Sequence, residues 1–286
     1  MMRWDFGAVY KEIRESKGLS QKEVVGDRIS RQSLISFEKG DSTPRYETMD
    51  YLLRQIDMSF AEFEYICHYY HPSERQEIFN AFYRLVYSHT ADEVDKLLEK
   101  CQDYLKTQYD LPVQHVTDLL HIYSHVRKNG IHNLSDEIEK LTKTIWQRLE
   151  KQDIWYENDL RMLNAILYSI PLESVHLFVE RMLATFEKYK NYAPIRTWQM
   201  TILSNLATLY LYNDQIENCQ GIVEKVMEIA KSEKRYDKLA FNQVRLGICR
   251  KDKNLIDKGL TLLTLMDEGE LLATAKEEVK QFYEGT

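Results

Sequence analysis

Proline and glycine are scarce in this 286-residue chain, at five and ten residues respectively. So few helix breakers leave room for long helices, and no alternating β-branched run reads as a strand. An all-α chain is expected. Cysteine is equally sparse: Cys67, Cys101, Cys219 and Cys249 make no C-x-x-C, which argues against a zinc site or a disulfide framework and predicts buried free thiols. No apolar run approaches the roughly eighteen residues of a membrane span. The opening MMRWDFGAVYKEIRE carries charges where a signal peptide has its apolar stretch, so the chain is expected to be cytoplasmic and away from membranes. There is no P-loop, dinucleotide fingerprint or H-E-x-x-H, and Ser, His and Asp fall in no catalytic order. No catalytic residue, cofactor or metal is therefore expected. His121 and His125 stand four apart with His115 nearby, but no acidic third ligand is in register, and they read as a polar helix face.

Positive charge is also in deficit. The formal net charge is −7, and Met1 to Ile66 carries ten Lys and Arg against twelve Asp and Glu. A chain that attracts nucleic acid over its whole surface is thereby excluded. A local basic face survives, because Arg28, Arg31, Lys39 and Arg45 outnumber Glu38 and Asp41 between Arg28 and Arg45.

That face lies on the most informative stretch, SQKEVVGDRISRQSLISFEKGDSTP, Ser20 to Pro44. Ser20 is placed to cap one short helix, with Glu23 in the capping-box position, and Gly26 ends it. Ser30 caps a second helix running to Glu38, whose Leu34, Ile35 and Phe37 can face a core, and Gly40 stops it. This is a helix-turn-helix pattern. Arg31, Gln32 and Ser33, with Ser36 one turn on, stand at the start of the second helix, where a recognition helix presents side chains able to hydrogen-bond base edges. Ahead of it a helix is predicted from about Trp4 to Lys17 with Phe6, Val9, Tyr10 and Ile13 on one stripe. Behind it, one helix carries Met49, Leu52, Leu53 and Ile56, and another, capped by Ser59, carries Phe60, Phe63 and Ile66.

Residues 7–60 thus resemble the five-helix DNA-binding domain of the lambda-repressor/Xre class. The resemblance implies that Gln21 braces against DNA phosphates and that Glu38, closing the recognition helix, pairs with Arg14. Ser33, Lys39 and Arg45 are expected to meet phosphates too, while Arg31 and Gln32 reach bases.

Beyond His71-Pro72 the pattern changes. Helices are predicted to begin near Ser73, Ala91, Pro112, Asp136, Trp155, Leu172, Ala193, Gln215, Asp237 and Leu255, a pair-to-pair period of about forty residues that suits stacked helical repeats. In the clearest copy, Leu206, Ala207, Tyr210, Cys219, Val223 and Val226 fall at the packing offsets of a tetratricopeptide repeat. Leu246, Gly247, Gly259, Leu263 and Met266 repeat them, with Arg250 in place of the aromatic. Leu271, Leu272, Ala275 and Val279 make a final helix from Glu270 to Tyr283 a cap. The expected architecture is a five-helix DNA-binding domain at 1–66, a boundary at 67–72, and an α-solenoid of five tetratricopeptide-like pairs plus a capping helix at 73–286. First helices of successive pairs line the concave surface of such a solenoid. On them stand Arg161, Asn164, Trp198, Asn205, Asn242 and Arg245, with Tyr168 and Tyr210 as aromatic neighbours. Asn can satisfy an extended peptide backbone and Arg a carboxylate, which suits a short peptide.

An Xre-like head on such a body resembles the peptide-sensing regulators of the RRNPP group. The stretch W-x-x-x-D-L-R-x-L-N-x-I-L-Y and the head sequence ISRQSLISFEKG make the chain most similar to the Rgg type. That resemblance implies a homodimeric transcription regulator, not an enzyme, that binds an operator in double-stranded DNA and a short signalling peptide in quorum sensing. A cysteine that cross-links two heads in some members has no counterpart in GDSTPRYETMD. The competing expectation is a regulator whose repeats bind a protein partner instead of a peptide, which a broad exposed apolar patch would favour.

Overall fold

Serine starts many of the helices. In the computed structural model, which describes residues 5–85, 91–129, 133–170 and 172–285, Ser20, Ser30, Ser59, Ser73 and Ser135 each accept a hydrogen bond from the backbone N–H three residues on. Each satisfies an amide that a helix start leaves without a partner. The Ser20–Glu23 capping box is complete, with Glu23 accepting from Ser20 N at 2.7 Å.

The chain divides into two compact units, Met1–Val116 and Thr117–Thr286. The first holds α1 Phe6–Ser16, α2 Gln21–Val25, α3 Arg31–Glu38, α4 Tyr46–Gln55, α5 Phe60–Cys67, α6 Glu74–Arg84 and α7 Ala91–Thr107, and α8, Leu111–Asn129, runs across the division. The predicted start of the first helix at Trp4 lies outside the described residues. Tyr10, Leu34, Phe37, Leu52, Ile56 and Phe63 form the heart of the head's core, each burial favouring the fold by about 1.5–3 kcal/mol. Ile35, expected to face that core, is only half-buried. It follows Leu34 on an eight-residue helix, so one turn cannot aim both at the same side.

Two glycines fix the geometry here. Gly26 has φ +50°, and a Cβ on it would fall 2.4 Å from the Tyr51 hydroxyl, which donates to Val25 O at 3.2 Å. Gly7 lets α1 touch α3, since a Cβ there would lie 1.8 Å from Phe37 O.

The second unit continues with α9 Asp136–Glu150, α10 Glu157–Ile166, α11 Leu172–Lys188, α12 Ala193–Tyr212, α13 Ile216–Ser232, α14 Tyr236–Arg250, α15 Lys253–Leu265 and α16 Gly269–Val279. A single 3-10 turn, Leu167–Ser169, extends α10, and a π turn, Lys280–Glu284, extends α16. Among the described residues there is no strand. α6 to α15 appear within two residues of the ten predicted starts, and α16 packs on α14 and α15 as the cap. Leu206, Ala207, Tyr210, Cys219, Val223 and Val226 are all buried. Arg250, standing where the repeat has an aromatic, turns outward and pairs with Glu224 of α13 at 2.8 Å. α14 and α15 approach closely at Gly259, where a Cβ would lie 2.7 Å from Ala240 O and 2.6 Å from Val244 Cγ2.

Two glycine substitutions should therefore act with opposite sign. Gly259→Ala meets backbone that cannot yield and is expected to cost about 1–3 kcal/mol. Gly221→Ala lies on an exposed face of α13 with nothing within 4 Å and should stabilise by about 0.8–1 kcal/mol through helix propensity. Urea unfolding of both variants reads the two signs directly.

Candidate nucleic-acid interface and inner polar row

In the head, a buried charge positions the recognition helix. Arg14 of α1 is 4% exposed and Glu38, the last residue of α3, is 7% exposed. The guanidinium donates to Glu38 Oε1 at 2.6 Å and Oε2 at 3.2 Å, and to Leu19 O at 2.6 Å. Its pKa is raised by the hydrogen bond to Glu38. Gln21 Nε2 of α2 donates to the same carboxylate at 2.7 Å, while Gln21 Oε1 accepts from Arg31 Nε at 3.2 Å. One carboxylate thus ties α1, α2 and the start of α3 together. The Arg14–Glu38 pairing implied by the family resemblance is present, and Gln21 is held between Arg31 and Glu38.

Arg31, Gln32 and Ser33 are exposed at the N-terminus of α3, and Ser36 is half-buried one turn later. Ser33 Oγ lies 2.8 Å from Ser30 Oγ. Arg28, Lys39 and Arg45 are exposed as well, and Arg28 rests over the Tyr51 ring at 5.6 Å. A recess of about 390 Å³ opens beside the start of α3, lined by Arg28, Ser30, Ser33, Thr43, Arg45 and Thr48. Two guanidinium groups and several hydroxyls facing one recess suit a phosphate.

In the second unit the predicted residues form a polar row along the first helices of successive pairs. Asn205 of α12 is half-buried and donates to Asn164 Oδ1 of α10 at 2.9 Å. The Tyr123 hydroxyl of α8 hydrogen-bonds Asn164 in turn, and burial pushes its pKa up to about 12. Arg161 pairs with Glu157 and lies 4.6 Å over the Trp198 ring. Farther along, the Tyr168 hydroxyl hydrogen-bonds Thr208, and burial raises its pKa. Arg245 of α14, 2% exposed, donates to Glu278 of α16 at 2.8 and 2.5 Å, to Ser204 O at 2.9 Å and to Thr208 Oγ1 at 2.7 Å.

Arg245 therefore already holds a carboxylate, one from its own chain. Tyr210 is buried, and burial raises its pKa. Asn242 is fully buried, with Nδ2 donating to Lys238 O at 2.9 Å. Its Oδ1 has no hydrogen-bond partner among the described residues, nor has the buried Ser204 Oγ. An acceptor left so costs about 1–3 kcal/mol.

Sequence reasoning missed Glu278, Thr208 and Tyr123. Glu278 had a readable signal: it lies seven residues beyond Leu271 and three beyond Ala275, on the apolar stripe of the last helix, where a carboxylate needs a buried cation. Thr208 and Tyr123 carried none. His125 lies on α8 with Nε2 2.9 Å from Asn133 O, and no group of three metal-ligating side chains converges among the described residues.

Residues 80–259 match the family model described as the C-terminal domain of the HTH-type transcriptional regulator Rgg. Residues 11–63 match a helix-turn-helix model. Among solved structures, the chain is similar to a candidate transcriptional regulator from Listeria monocytogenes EGD-e at 22% identity, TM-score 0.78 and 98% coverage of both chains. It is similar to the SHP pheromone receptor Rgg2 of Streptococcus dysgalactiae at 14% identity, TM-score 0.69, covering 96% of this chain and 99% of that one. ComR from S. thermophilus, solved with DNA and its signalling peptide ComS, aligns at 15% identity and TM-score 0.62, with 95% and 97% coverage. These likenesses establish a shared fold.

The buried pair gives a stability prediction. Glu278→Ala leaves the Arg245 charge buried and is expected to cost about 3–5 kcal/mol, whereas replacing both partners, Arg245→Met with Glu278→Leu, should restore most of that loss. A double-mutant cycle in urea measures it, and additive losses would show that the pair is not coupled.

Proposed function

Because the chain belongs to the Rgg family of helix-turn-helix transcriptional regulators, we propose that it is a cytoplasmic, homodimeric regulator that binds operator DNA and is switched by a short signalling peptide. Transcription regulation, not catalysis, is the family's work. Among the described residues no helix is long and apolar enough to cross a membrane. Residues 1–66 are assigned to DNA binding, 67–72 to the boundary, and 73–286 to peptide binding and dimerisation. The peptide is inferred from the family together with the polar row; a pheromone receptor and a peptide-bound regulator share this fold.

The observation that carries the DNA reading is the exposed Arg31-Gln32-Ser33 start of α3, braced from behind by Arg14, Glu38 and Gln21. In this reading Arg31 and Gln32 meet base edges. Arg28, Ser33, Lys39 and Arg45 lie along the phosphates, Ser36 stands one turn on beside the base-reading residues, and Gln21 exchanges its present partners for a phosphate. A two-fold pair of heads reads two half-sites about one DNA turn apart.

The peptide reading rests on Asn164 and Asn205. Bonded to each other across two helices, they keep further donor and acceptor capacity that an extended backbone can use. Arg161, Tyr168 and Trp198 flank them, and the buried Tyr210, Asn242 and Arg245 continue the row as its support.

Gln32→Ala should weaken binding to a selected operator by about 1–3 kcal/mol and relax base preference. Lys39→Ala should weaken all sequences alike and lower the salt slope by about one. Gel-shift titrations at several salt concentrations separate the two, and wild-type behaviour of both Arg31→Ala and Gln32→Ala would remove α3 as the reading helix. For the peptide, fluorescence polarisation with a library of short apolar peptides should find a ligand that Asn205→Ala binds weakly while it folds and dimerises as wild type. Equal affinity for both proteins would remove Asn205 from the site, and a library without any ligand would favour a protein partner.

A further inference from the structure

Cys219 and Cys249 are far apart in sequence and adjacent in the fold. α13 and α14 are joined by a turn through Lys234, whose φ is +55°, and each cysteine lies fifteen residues from it. Antiparallel helices leaving one turn meet level by level, so Cys219 in the first turn of α13 faces Cys249 in the last turn of α14. The two thiols lie close enough to act on each other's ionisation. Both are free, Cys219 buried and Cys249 partly exposed. Arg245, one turn before Cys249 on α14, is near enough for its charge to act on both.

The two sulfurs are not equivalent. The neighbouring Cys219 thiol and the charge of Arg245 hold the Cys249 thiol below its ordinary pKa, against the opposing effects of burial and the Glu278 carboxylate. The neighbouring Cys249 thiol, together with burial, pushes Cys219 up. Cys249 is the more accessible of the two, so it is the one an oxidant reaches first, and the buried Cys219 waits beside it, the arrangement of an attacking and a resolving cysteine. Sequence spacing gave no hint of this, since neither cysteine belongs to a C-x-x-C.

We propose that Cys219 and Cys249 form an oxidisable dithiol, a modification site that hydrogen peroxide converts into an intrachain disulfide tying α13 to α14. The Cys249 thiolate attacks one peroxide oxygen, the O–O bond breaks, and the departing hydroxide takes up the proton released by that thiol. Cys249 is left as a sulfenic acid and one water is formed. The Cys219 sulfur then attacks the Cys249 sulfur, the S–O bond breaks, and the hydroxyl leaves with the Cys219 proton as a second water. Two thiols lose two electrons and one peroxide gains them. In a reducing compartment such a bond is transient, which suits a sensor and not a structural staple. It would stiffen the α13–α14 hairpin beside Arg245, and with it the end of the polar row.

The test uses the full-length protein as purified, treated with hydrogen peroxide, alkylated, and digested without reductant. The expected result is one linked peptide pair joining Cys219 to Cys249, a higher thermal midpoint, and reversal of both by dithiothreitol. Cys219→Ser should leave a sulfenic acid on Cys249 that dimedone traps, and Cys249→Ser should leave Cys219 unoxidised. Recovery of both wild-type cysteines as free thiols, or oxidation of Cys249 to a sulfinic acid without a link to Cys219, would overturn the proposal. The wild-type digest alone decides between these outcomes, so it stands even where a serine variant fails to fold.

Discussion

A guanidinium cannot be left unpaired inside a protein, and this chain buries Arg14 in one compact unit and Arg161 and Arg245 in the other. Arg14 is met by Glu38 and Arg245 by Glu278, each pair almost free of solvent. Such pairs add little net stability over well-packed apolar residues, but losing one partner is costly. Their effect is to fix register. In the head, Glu38 also takes Gln21, so α1, α2 and α3 can meet in one arrangement only, and the exposed start of α3 is aimed by what is buried at its end. In the second unit, Arg245 collects α12, α14 and α16 around a single planar group.

The same constraint explains how a ligand on the repeats can have consequences beyond its contacts. The polar row is continuous in kind: Tyr123 to Asn164 to Asn205 at one end, Tyr168 to Thr208 to Arg245 to Glu278 at the other. Directional bonds of this sort have discrete arrangements where apolar packing would slide. A ligand that takes over one set of donors and acceptors changes which arrangement of the helices is favoured, and only by its difference in affinity for the two.

Much of this was legible in the residues. Serine caps, Gly26 and the spacing of Leu34 and Phe37 give the helix-turn-helix, because these signals are local and each acts through one or two hydrogen bonds. The repeat at Leu206 to Val226 was equally clear, since small and apolar residues at fixed offsets have a single packing solution. What the sequence hid was contact between distant side chains. Gly7 gave no sign that α1 touches α3 through it, Ile35 looked like core until the short helix turned it aside, and Arg245 looked like a surface grip for a carboxylate until Glu278 was seen to fill it. The Cys219–Cys249 neighbourhood needed the α13–α14 hairpin itself. Local chemistry is written in order along the chain, and partners across helices are not.

The central claim is that a peptide on the repeats and an operator on the head bias one equilibrium, and reciprocity tests it most directly. Peptide affinity measured by calorimetry with and without saturating operator, and operator affinity with and without saturating peptide, should change by the same factor, equivalent to roughly 1–3 kcal/mol of coupling. Equal peptide affinities in the presence and absence of operator would contradict the account, leaving two units that bind their ligands independently.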